Sequence, residues 1–279
     1  MSKEKSEPIT FPKISCLTVT KDRLLLLKRA IQCFVNQTYP NKELIIISDG
    51  EDFFNASIQR YLNELSQENI VFKIIPNEEN NSIGSLRNIS WDTASGDLIC
   101  QWDDDDQYHP RRLEIQYQHL IDQKAHASFL VDQLQLFWDD QILFLSEWSN
   151  NSTSIRNQLI PGTLLTYNTK EYRYPTTGPN CKKGEDDYLI ELMLSKGAAL
   201  AGLSGEGPIY LYQFHGSNTF SKNHHMNIAM VRSASEETMQ QQLPSIYKAL
   251  EEYILPFPLG ICSAKQQIAV YENLETSRK

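Results

Sequence analysis

The chain has 279 residues, and its 26 basic and 35 acidic side chains give a formal net charge of −9. A hydrophobic content of 41%, with only 12 Gly and 12 Pro, excludes a collagen-like, low-complexity or intrinsically disordered chain. The acidic balance argues against nucleic acid as a partner, because binding to a phosphate backbone needs a basic surface.

Two hydrophobic patterns alternate over the first hundred residues. Short apolar runs rich in β-branched residues predict four buried strands, at residues 14–20, 44–48, 70–75 and 98–102. Apolar residues at helical spacing predict a helix after each of the first three strands. Strands and helices that alternate in this way predict an α/β fold, in which helices cover both faces of a mostly parallel sheet.

The second half of the chain has a less regular pattern, and we expect a mixed region there. Its predicted elements are a helix at residues 113–121, a hairpin of two apolar runs at 129–138 and 142–148, a strand at 159–167, a helix at 185–196, a strand at 209–214, a polar, His-rich mobile loop at 221–235 and a helix at 236–253.

The cysteines and the hydropathy of the chain indicate the cellular compartment of the protein. Cysteines at positions 16, 33, 100, 181 and 262 form no C-x-x-C pair, which argues against a disulfide framework or a zinc site and predicts small buried side chains. The N-terminal sequence lacks the apolar core of a secretory signal, and nowhere do about 18 apolar residues run together. We therefore expect a cytoplasmic protein without a transmembrane segment, for which peripheral contact with a membrane stays open.

Polar side chains follow three of the predicted strands at their carboxyl ends. Thr18 and Thr20 end the first strand, Asp49 follows the second, and four consecutive Asp residues at 103–106 follow the fourth. In parallel α/β sheets, ligands bind beyond the carboxyl ends of the strands. The sequence therefore predicts a binding site at this edge of the sheet.

The four aspartates have two possible explanations. Adjacent carboxylates repel each other, and a divalent cation removes that cost because Mg²⁺ and Mn²⁺ prefer oxygen ligands. The ordinary alternative is a solvated acidic turn that stabilises the N-terminus of the helix after Pro110. The position at the end of an apolar strand favours the metal.

The sequence WDDDD at residues 102–106, with Pro110 and RLE at 112–114 after it, resembles the D-x-D region of family 2 glycosyltransferases. Other segments resemble that family in the same order: ISCLTVTKDR at 14–23, ELIIISDG at 43–50, GSLRN at 84–88, GED at 184–186 and a late histidine, His215. The resemblance covers about residues 12–220. It implies the GT-A fold, a nucleotide-binding and mostly parallel α/β sheet, with a small mixed region on the acceptor side.

The resemblance also implies a role for each matching side chain. A Mn²⁺ or Mg²⁺ ion would be held by Asp103, Asp105 and His215. Asp186 would be the general base, with Glu185 as a second catalytic carboxylate. The side chains expected to bind the nucleotide are Thr18, Thr20, Arg23, Asp49, Arg87, Asp103 and Asp104.

Several of these side chains also have an ordinary structural explanation. Glu185 and Asp186 would complement the positive end of a helix dipole even without a catalytic role. Arg87 is equally compatible with a surface position on a helix, and His215 with a surface or capping position at a strand end.

The expected domain division is a tail at residues 1–12, a GT-A domain at 13–220, and a mobile loop with a C-terminal helical appendage at 221–279. The expected function is metal-dependent, inverting transfer of a sugar from a nucleotide-diphosphate sugar, with UDP as the expected nucleotide, to an acceptor hydroxyl. The acceptor stays open between a glycan, a lipid-linked sugar, a peptide and a small molecule.

Two alternatives to this function stay open. A degenerate GT-A protein would bind nucleotide or glycan without turnover. A sugar-1-phosphate nucleotidyltransferase would need a Gly-rich basic loop after the first strand, and residues 18–23 contain no glycine.

Overall fold

The computed structural model describes residues 11–78, 81–149 and 153–272. Residues 1–10 of the expected tail and residues 273–279 of the expected appendage lie outside the described residues. Within the described ranges, no helix combines the length and apolar character that crossing a bilayer requires.

The first third of the chain alternates strictly between strand and helix. In chain order these elements are β1 (Ile14–Thr20), α1 (Leu24–Val35), β2 (Lys42–Ser48), α2 (Asp52–Leu65), β3 (Ile70–Ile74), α3 (Ile83–Thr93) and β4 (Leu98–Gln101). β1 pairs in parallel with β2 and β4, and β2 pairs in parallel with β3. The predicted parallel α/β sheet is therefore confirmed.

The remaining elements build the rest of this sheet and a second one. They are β5 (Gln107–Tyr108), α4 (Arg112–Asp122), β6 (Ala127–Leu130), β7 (Asp132–Phe137), β8 (Ile142–Glu147), α5 (Ile155–Gln158), β9 (Leu165–Tyr167), α6 (Glu185–Ser195), β10 (Leu200–Leu203), β11 (Tyr210–Phe214), α7 (Lys222–Arg232), α8 (Glu236–Leu250), β12 (Leu259–Cys262) and β13 (Gln267–Tyr271). The first sheet has the order β10-β6-β9-β4-β1-β2-β3, and the second has the order β13-β12-β8-β7-β11-β5.

Helices cover both faces of the first sheet, as predicted. On one face, buried side chains of α1 and α4, such as Ile31 and Leu120, join one hydrophobic cluster. On the other face, Trp91 of α3 and Met193 of α6 join a second cluster. The second sheet packs its apolar face against α8 in a third cluster.

The chain passes from the first sheet to the second at Val131. Directly after β6, the Val131 N–H donates to the carbonyl of Leu203 in β10. Directly before β7, the Val131 carbonyl accepts from the Trp148 N–H at 2.6 Å. The single strand predicted at residues 129–138 is therefore wrong, because an unbroken apolar run does not reveal a change of sheet. The predicted hairpin is confirmed for β7 and β8, which pair antiparallel.

Two further predictions of secondary structure are wrong in part. In the run predicted as a strand at residues 159–167, only Leu165–Tyr167 forms a strand, because Pro161 opens a 3₁₀ turn. Lys222–Arg232 is a helix rather than a mobile loop, and Ala229 anchors it against Phe137 and Phe144. One buried stripe suffices to hold this helix, although its other faces are polar.

The C-terminal region is not wholly helical as predicted. After α8 the chain returns to strand, and β12 pairs in parallel with β8 while β13 extends the sheet beyond it. These strands share the hydrophobic cluster of β7 and α8. The domain boundary at residue 220 stays a prediction. All five cysteines are free, as expected.

Candidate active site

A cavity of about 490 Å³ lies beyond the carboxyl ends of β1 and β4 and is lined by residues of both sheets. This volume is within the usual range for a small-molecule site. Residues 103–106, here called the aspartate loop, form one part of its lining, and the first turn of α6 forms another. The binding site predicted at the carboxyl ends of the strands therefore coincides with a cavity in the structure.

Stacked aromatic rings support the aspartate loop from below. The rings of Trp102 and Tyr108 stack with centroids 3.8 Å apart, and Tyr210 stacks on Tyr108 at 5.6 Å. The fully buried guanidinium of Arg112 lies 4.6–5.4 Å from the centroids of these three rings. The Tyr108 hydroxyl donates to the Asp103 carbonyl at 3.0 Å, so the rings also fix the backbone of the loop.

Two of the four carboxylates are buried and anchor the loop. Asp104 accepts hydrogen bonds from the Thr20 hydroxyl at 2.6 Å and from Arg23 at 2.8 Å. Asp106 accepts from the Tyr210 hydroxyl at 2.5 Å and from the Gln213 N–H at 3.1 Å. Burial, together with the charge of the neighbouring Asp105, raises the pKa of Asp104 to about 7 and that of Asp106 well above its ordinary value.

Asp105 lines the cavity, and His215 lies beside it without lining the cavity itself. The Oδ2 atom of Asp105 lies 3.3 Å from His215 Nε2 and 2.5 Å from Arg23 Nη1. Burial alone would raise the pKa of Asp105, but the hydrogen bond with His215 and the charge of Arg23 lower it. This carboxylate is therefore held in its charged form.

Arg87 links the aspartate loop to α6. Its Nη1 lies 3.1 Å from Asp103 Oδ1, and its Nε donates to Glu185 Oε1 at 3.0 Å. Only 9% of the Arg87 side chain is exposed, so the alternative of a surface arginine is wrong. Burial lowers the pKa of Arg87, but the charges of Asp103 and Glu185 outweigh it and raise that pKa well above its ordinary value.

The two candidate catalytic carboxylates occupy different environments. Glu185 is buried and engaged by Arg87, which leaves its neighbour Asp186 as the candidate base. Asp186 is half-buried at the start of α6 and lines the cavity. Burial, and then the charge of Glu185, raise the pKa of Asp186 to about 7. A carboxylate with this pKa suits proton transfer near neutral pH.

Three of the predicted nucleotide-binding residues do not line the cavity themselves. The buried Thr18 hydroxyl donates to the Trp102 carbonyl at 2.6 Å, and Thr20 acts through Asp104. Asp49 is buried beside Lys21, with 3.5 Å between Oδ2 and Nζ. Thr18 thus holds the backbone of the site and Thr20 holds the Asp104 side chain, while the contact of Asp49 with a nucleotide base stays a prediction.

Sequence reasoning missed part of the cavity lining. The residues concerned come from the second sheet, from the segment before α6 and from the start of α7: Gln133, Gln135, Lys182, Lys183, Phe220 and His224. Strand alternation places Gln133 and Gln135 on one face of β7, and this was the signal that could have found them.

The predicted metal ligands fit a cation only in part. Within the described ranges, no three His, Cys, Asp or Glu side chains form a group that could hold a metal ion by themselves. Asp105 and His215 do lie together, whereas Asp103 pairs with Arg87. Mg²⁺ is commonly bound by one or two protein ligands together with the phosphates of a substrate. Asp105 and His215 fit that kind of site.

The comparison with known families agrees with this arrangement. The model of "Glycosyl transferase family 2" matches residues 15–170, which run from the second residue of β1 through β9 and include the whole aspartate loop. The chain belongs to glycosyl transferase family 2. This match contains Arg23, Arg87 and Asp105, whereas Asp186 and His215 lie beyond its end.

Two curated glycosyl transferases are similar to this family 2 chain. The Escherichia coli protein named "Putative colanic acid biosynthesis glycosyl transferase WcaA" is 33% identical over 116 residues, which are 42% of this chain and 40% of that relative. An "Uncharacterized glycosyltransferase" of Haemophilus influenzae is 23% identical over 261 residues, which cover 84% of this chain and 76% of that protein. The similarity to the first relative thus spans less than half of its length.

Solved structures show the same fold. TarS residues 1–349 from S. aureus, in complex with UDP, has a TM-score of 0.54 at 13% identity and covers 86% of this chain and 79% of its own. The mannosyltransferase PcManGT from Pyrobaculum calidifontis, in complex with GDP-Man and Mn²⁺, has a TM-score of 0.54 at 12% identity and covers 90% of this chain and 67% of its own. The predicted GT-A fold is confirmed.

Proposed function

We propose that this protein transfers a sugar from a nucleotide-diphosphate sugar to an acceptor hydroxyl, with inversion at the anomeric carbon and with a divalent cation. The observation that carries the proposal is the placement of Asp105 and Asp186 at one cavity at the strand ends, with His215 beside Asp105. The complexes of TarS with UDP and of PcManGT with GDP-Man and Mn²⁺ support it by analogy. UDP is the nucleotide we expect.

The diphosphate of the donor would lie against the aspartate loop. Asp105 and His215 would hold a Mn²⁺ or Mg²⁺ ion there, and such an ion neutralises the negative charge that develops on the leaving diphosphate. Arg23, which contacts both Asp104 and Asp105, balances the charge of the loop. Arg87 would keep Asp103 in position beside the sugar.

Asp186 would act as the general base in a single displacement. The acceptor oxygen forms a bond to the anomeric carbon while the bond from that carbon to the phosphate oxygen breaks. The electron pair of the broken bond leaves with the nucleoside diphosphate, and the hydroxyl proton moves to the Asp186 carboxylate. Because the acceptor attacks from the face opposite the leaving group, one displacement inverts the configuration.

The cellular compartment also belongs to this proposal. Five free cysteines, four of them buried, support a reducing compartment such as the cytoplasm.

The test compares Asp186→Asn with Asp187→Asn. Both substitutions remove one negative charge from the first turn of α6, but the Asp187 side chain is 48% exposed and lies 3.5 Å from Arg156. Loss of a general base should lower the rate of donor turnover about 10²–10⁴-fold while the affinity for UDP stays unchanged. Asp187→Asn should keep the wild-type rate.

Calorimetry with UDP, dTDP and GDP, each with and without Mn²⁺, tests the donor site. We expect the tightest binding for a pyrimidine diphosphate with metal. Equal affinity with and without divalent cation would contradict the metal assignment. Tight nucleotide binding with no turnover of any UDP-sugar would instead identify a degenerate binding protein.

A further inference from the structure

Arg23 holds two carboxylates of the aspartate loop at the same time. Its Nη2 lies 2.8 Å from Asp104 Oδ1, and its Nη1 donates to Asp105 Oδ2 at 2.5 Å. The Nη groups of a guanidinium form a rigid planar fork, so one side chain can bridge two acceptors in this way. One positive charge therefore serves two neighbouring negative charges.

The two ends of this bridge are held to different degrees. The Asp104 side chain is only 1% exposed, and its other oxygen, Oδ2, accepts from the Thr20 hydroxyl at 2.6 Å. The Asp105 side chain is 17% exposed and lines the cavity. The contact of Arg23 with Asp104 is therefore its anchored end, and the contact with Asp105 is its end at the cavity.

The side chain of Arg23 can change partner while its backbone stays in place. Arg23 directly precedes α1, and its carbonyl accepts from the Leu27 N–H at 3.0 Å. Its side chain is 32% exposed and lines the cavity. A partly exposed side chain with several rotatable bonds moves its end by changes of χ angles alone. A turn of the guanidinium about its contact with Asp104 is enough to remove Nη1 from Asp105.

The oxygen that Arg23 contacts is the same oxygen that lies beside His215. His215 Nε2 is 3.3 Å from Asp105 Oδ2, and Asp105 and His215 are the residues that would hold the divalent cation of the proposed function. A divalent cation and the guanidinium next to one oxygen repel each other, because both are positive. The contact of Arg23 with Asp105 and the binding of a cation by Asp105 therefore oppose each other.

The diphosphate of a sugar nucleotide offers Arg23 a second anion. Guanidinium N–H groups form strong charge-assisted hydrogen bonds with phosphate oxygens. With the diphosphate against the aspartate loop, a phosphate oxygen can accept from Nη1 while a cation neutralises Asp105. Each charge of the site then has a partner, both before and after the donor binds.

We propose that Arg23 exchanges its partner when the donor binds. Its Nη1 leaves Asp105 for a phosphate oxygen, which makes Asp105 available to the cation, while its Nη2 stays on Asp104. Arg23 is thus a positioning residue that couples the binding of the diphosphate to the binding of the cation. This inference rests on the proposed function and deepens it, because the protein then binds a cation weakly until a diphosphate is present.

The experiment measures the affinity for Mn²⁺ alone, from the loss of the EPR signal of the unbound ion, and then repeats the titration with UDP. The proteins are the wild type, Arg23→Met and Lys182→Met. The last is the matched control, because Lys182 is an exposed cation in the lining of the same cavity. Melting temperatures show that each variant is folded.

We expect Arg23→Met to bind Mn²⁺ alone at least about 5-fold more tightly than the wild type, since couplings between two sites usually begin near that size. Lys182→Met should bind Mn²⁺ as the wild type does. UDP should strengthen Mn²⁺ binding less in Arg23→Met than in the wild type, because no competing guanidinium is left to remove. Equal Mn²⁺ affinity of Arg23→Met and the wild type, or an equal gain in Lys182→Met, would overturn the proposal.

A second measurement uses the wild type and does not depend on the folding of Arg23→Met. The NMR signals of the Arg23 guanidinium N–H groups, assigned by their loss in Arg23→Lys, report the partner of this side chain. We expect them to shift when UDP and Mg²⁺ are added together. Unchanged Arg23 signals at saturating UDP and Mg²⁺ would show that the guanidinium keeps its partners, and the proposal would be wrong.

The same titrations separate this proposal from the proposed function. If UDP binds the wild type with Mn²⁺ but Arg23→Met changes neither the Mn²⁺ affinity nor its dependence on UDP, the proposed function stands and the exchange of partners is wrong. If UDP does not bind the wild type with Mn²⁺, the proposed function fails, and Mn²⁺ binding without nucleotide still decides whether Arg23 competes with a cation.

Discussion

Replacement of Arg87 by Met tests whether one buried cation holds the two halves of the site together. The substitution keeps most of the length of the side chain but removes the contacts of 3.1 Å with Asp103 and 3.0 Å with Glu185. The Glu185 side chain is only 7% exposed, so water cannot replace the lost partner. Removal of one partner from a buried ion pair costs about 3–5 kcal/mol, because the remaining charge is left uncompensated.

This cost should lower the melting temperature by about 6–20 °C, since 1 kcal/mol corresponds to about 2–4 °C in a chain of this size. Arg111→Met is the control, because Arg111 and its partner Glu114 are 56% and 49% exposed and such surface pairs contribute little. Thermal unfolding followed by circular dichroism measures both variants.

The comparison of the two variants identifies the cause of this loss. In Arg87→Met, the carboxylates of Asp103 and Glu185 lose the cation that lies between them. An Arg87→Met variant that melts within about 2 °C of Arg111→Met would refute the ion-pair explanation.

Three further predictions concern other parts of the site. The rate of sugar transfer should rise with pH through a midpoint near 7, because the pKa of Asp186 is raised to about 7 and only the deprotonated carboxylate accepts a proton. A rate that does not change from about pH 5 to about pH 9 would exclude Asp186 as the base. His215→Ala should weaken UDP binding with Mn²⁺ by at least about tenfold and leave metal-free binding unchanged in calorimetry, whereas an equal loss in both conditions would mean a contact with the nucleotide itself. Gly84→Ala should lower the free energy of unfolding in urea by about 1–3 kcal/mol, because the added Cβ overlaps the Pro175 carbonyl oxygen. An unchanged urea midpoint would show that α3 and the segment at Pro175 move apart without cost.

The first sheet could be predicted from the sequence because its signals are local. Each of its first four strands is a short apolar run, and the ends of the first and the fourth strand carry polar residues that build the site. The convergence of Thr20 and Asp104 follows from parallel pairing alone, although 84 residues separate them along the chain. Parallel pairing of the strands brings these separate segments together at one site.

The contacts that decide the roles of the carboxylates could not be predicted in this way. Arg87 and Glu185 are 98 residues apart, and nothing in the spacing of either motif indicates that they meet. The sequence named Asp186 as the base only through the family resemblance, whereas the structure separates Asp186 from Glu185 by burial and partner. The helix α7 was missed for a related reason, since a polar helix held by one buried stripe has no clear hydrophobic period.

The passage of the chain through Val131 has a mechanical consequence. Val131 is hydrogen-bonded to Leu203 beside the first sheet and to Trp148 beside the second, so this crossing is held on both sides. A hinge requires residues whose backbone torsions can change, and the two hydrogen bonds of Val131 oppose such a change at this crossing. The wall that the second sheet gives the cavity is therefore tied at Val131 to the sheet that carries the aspartate loop.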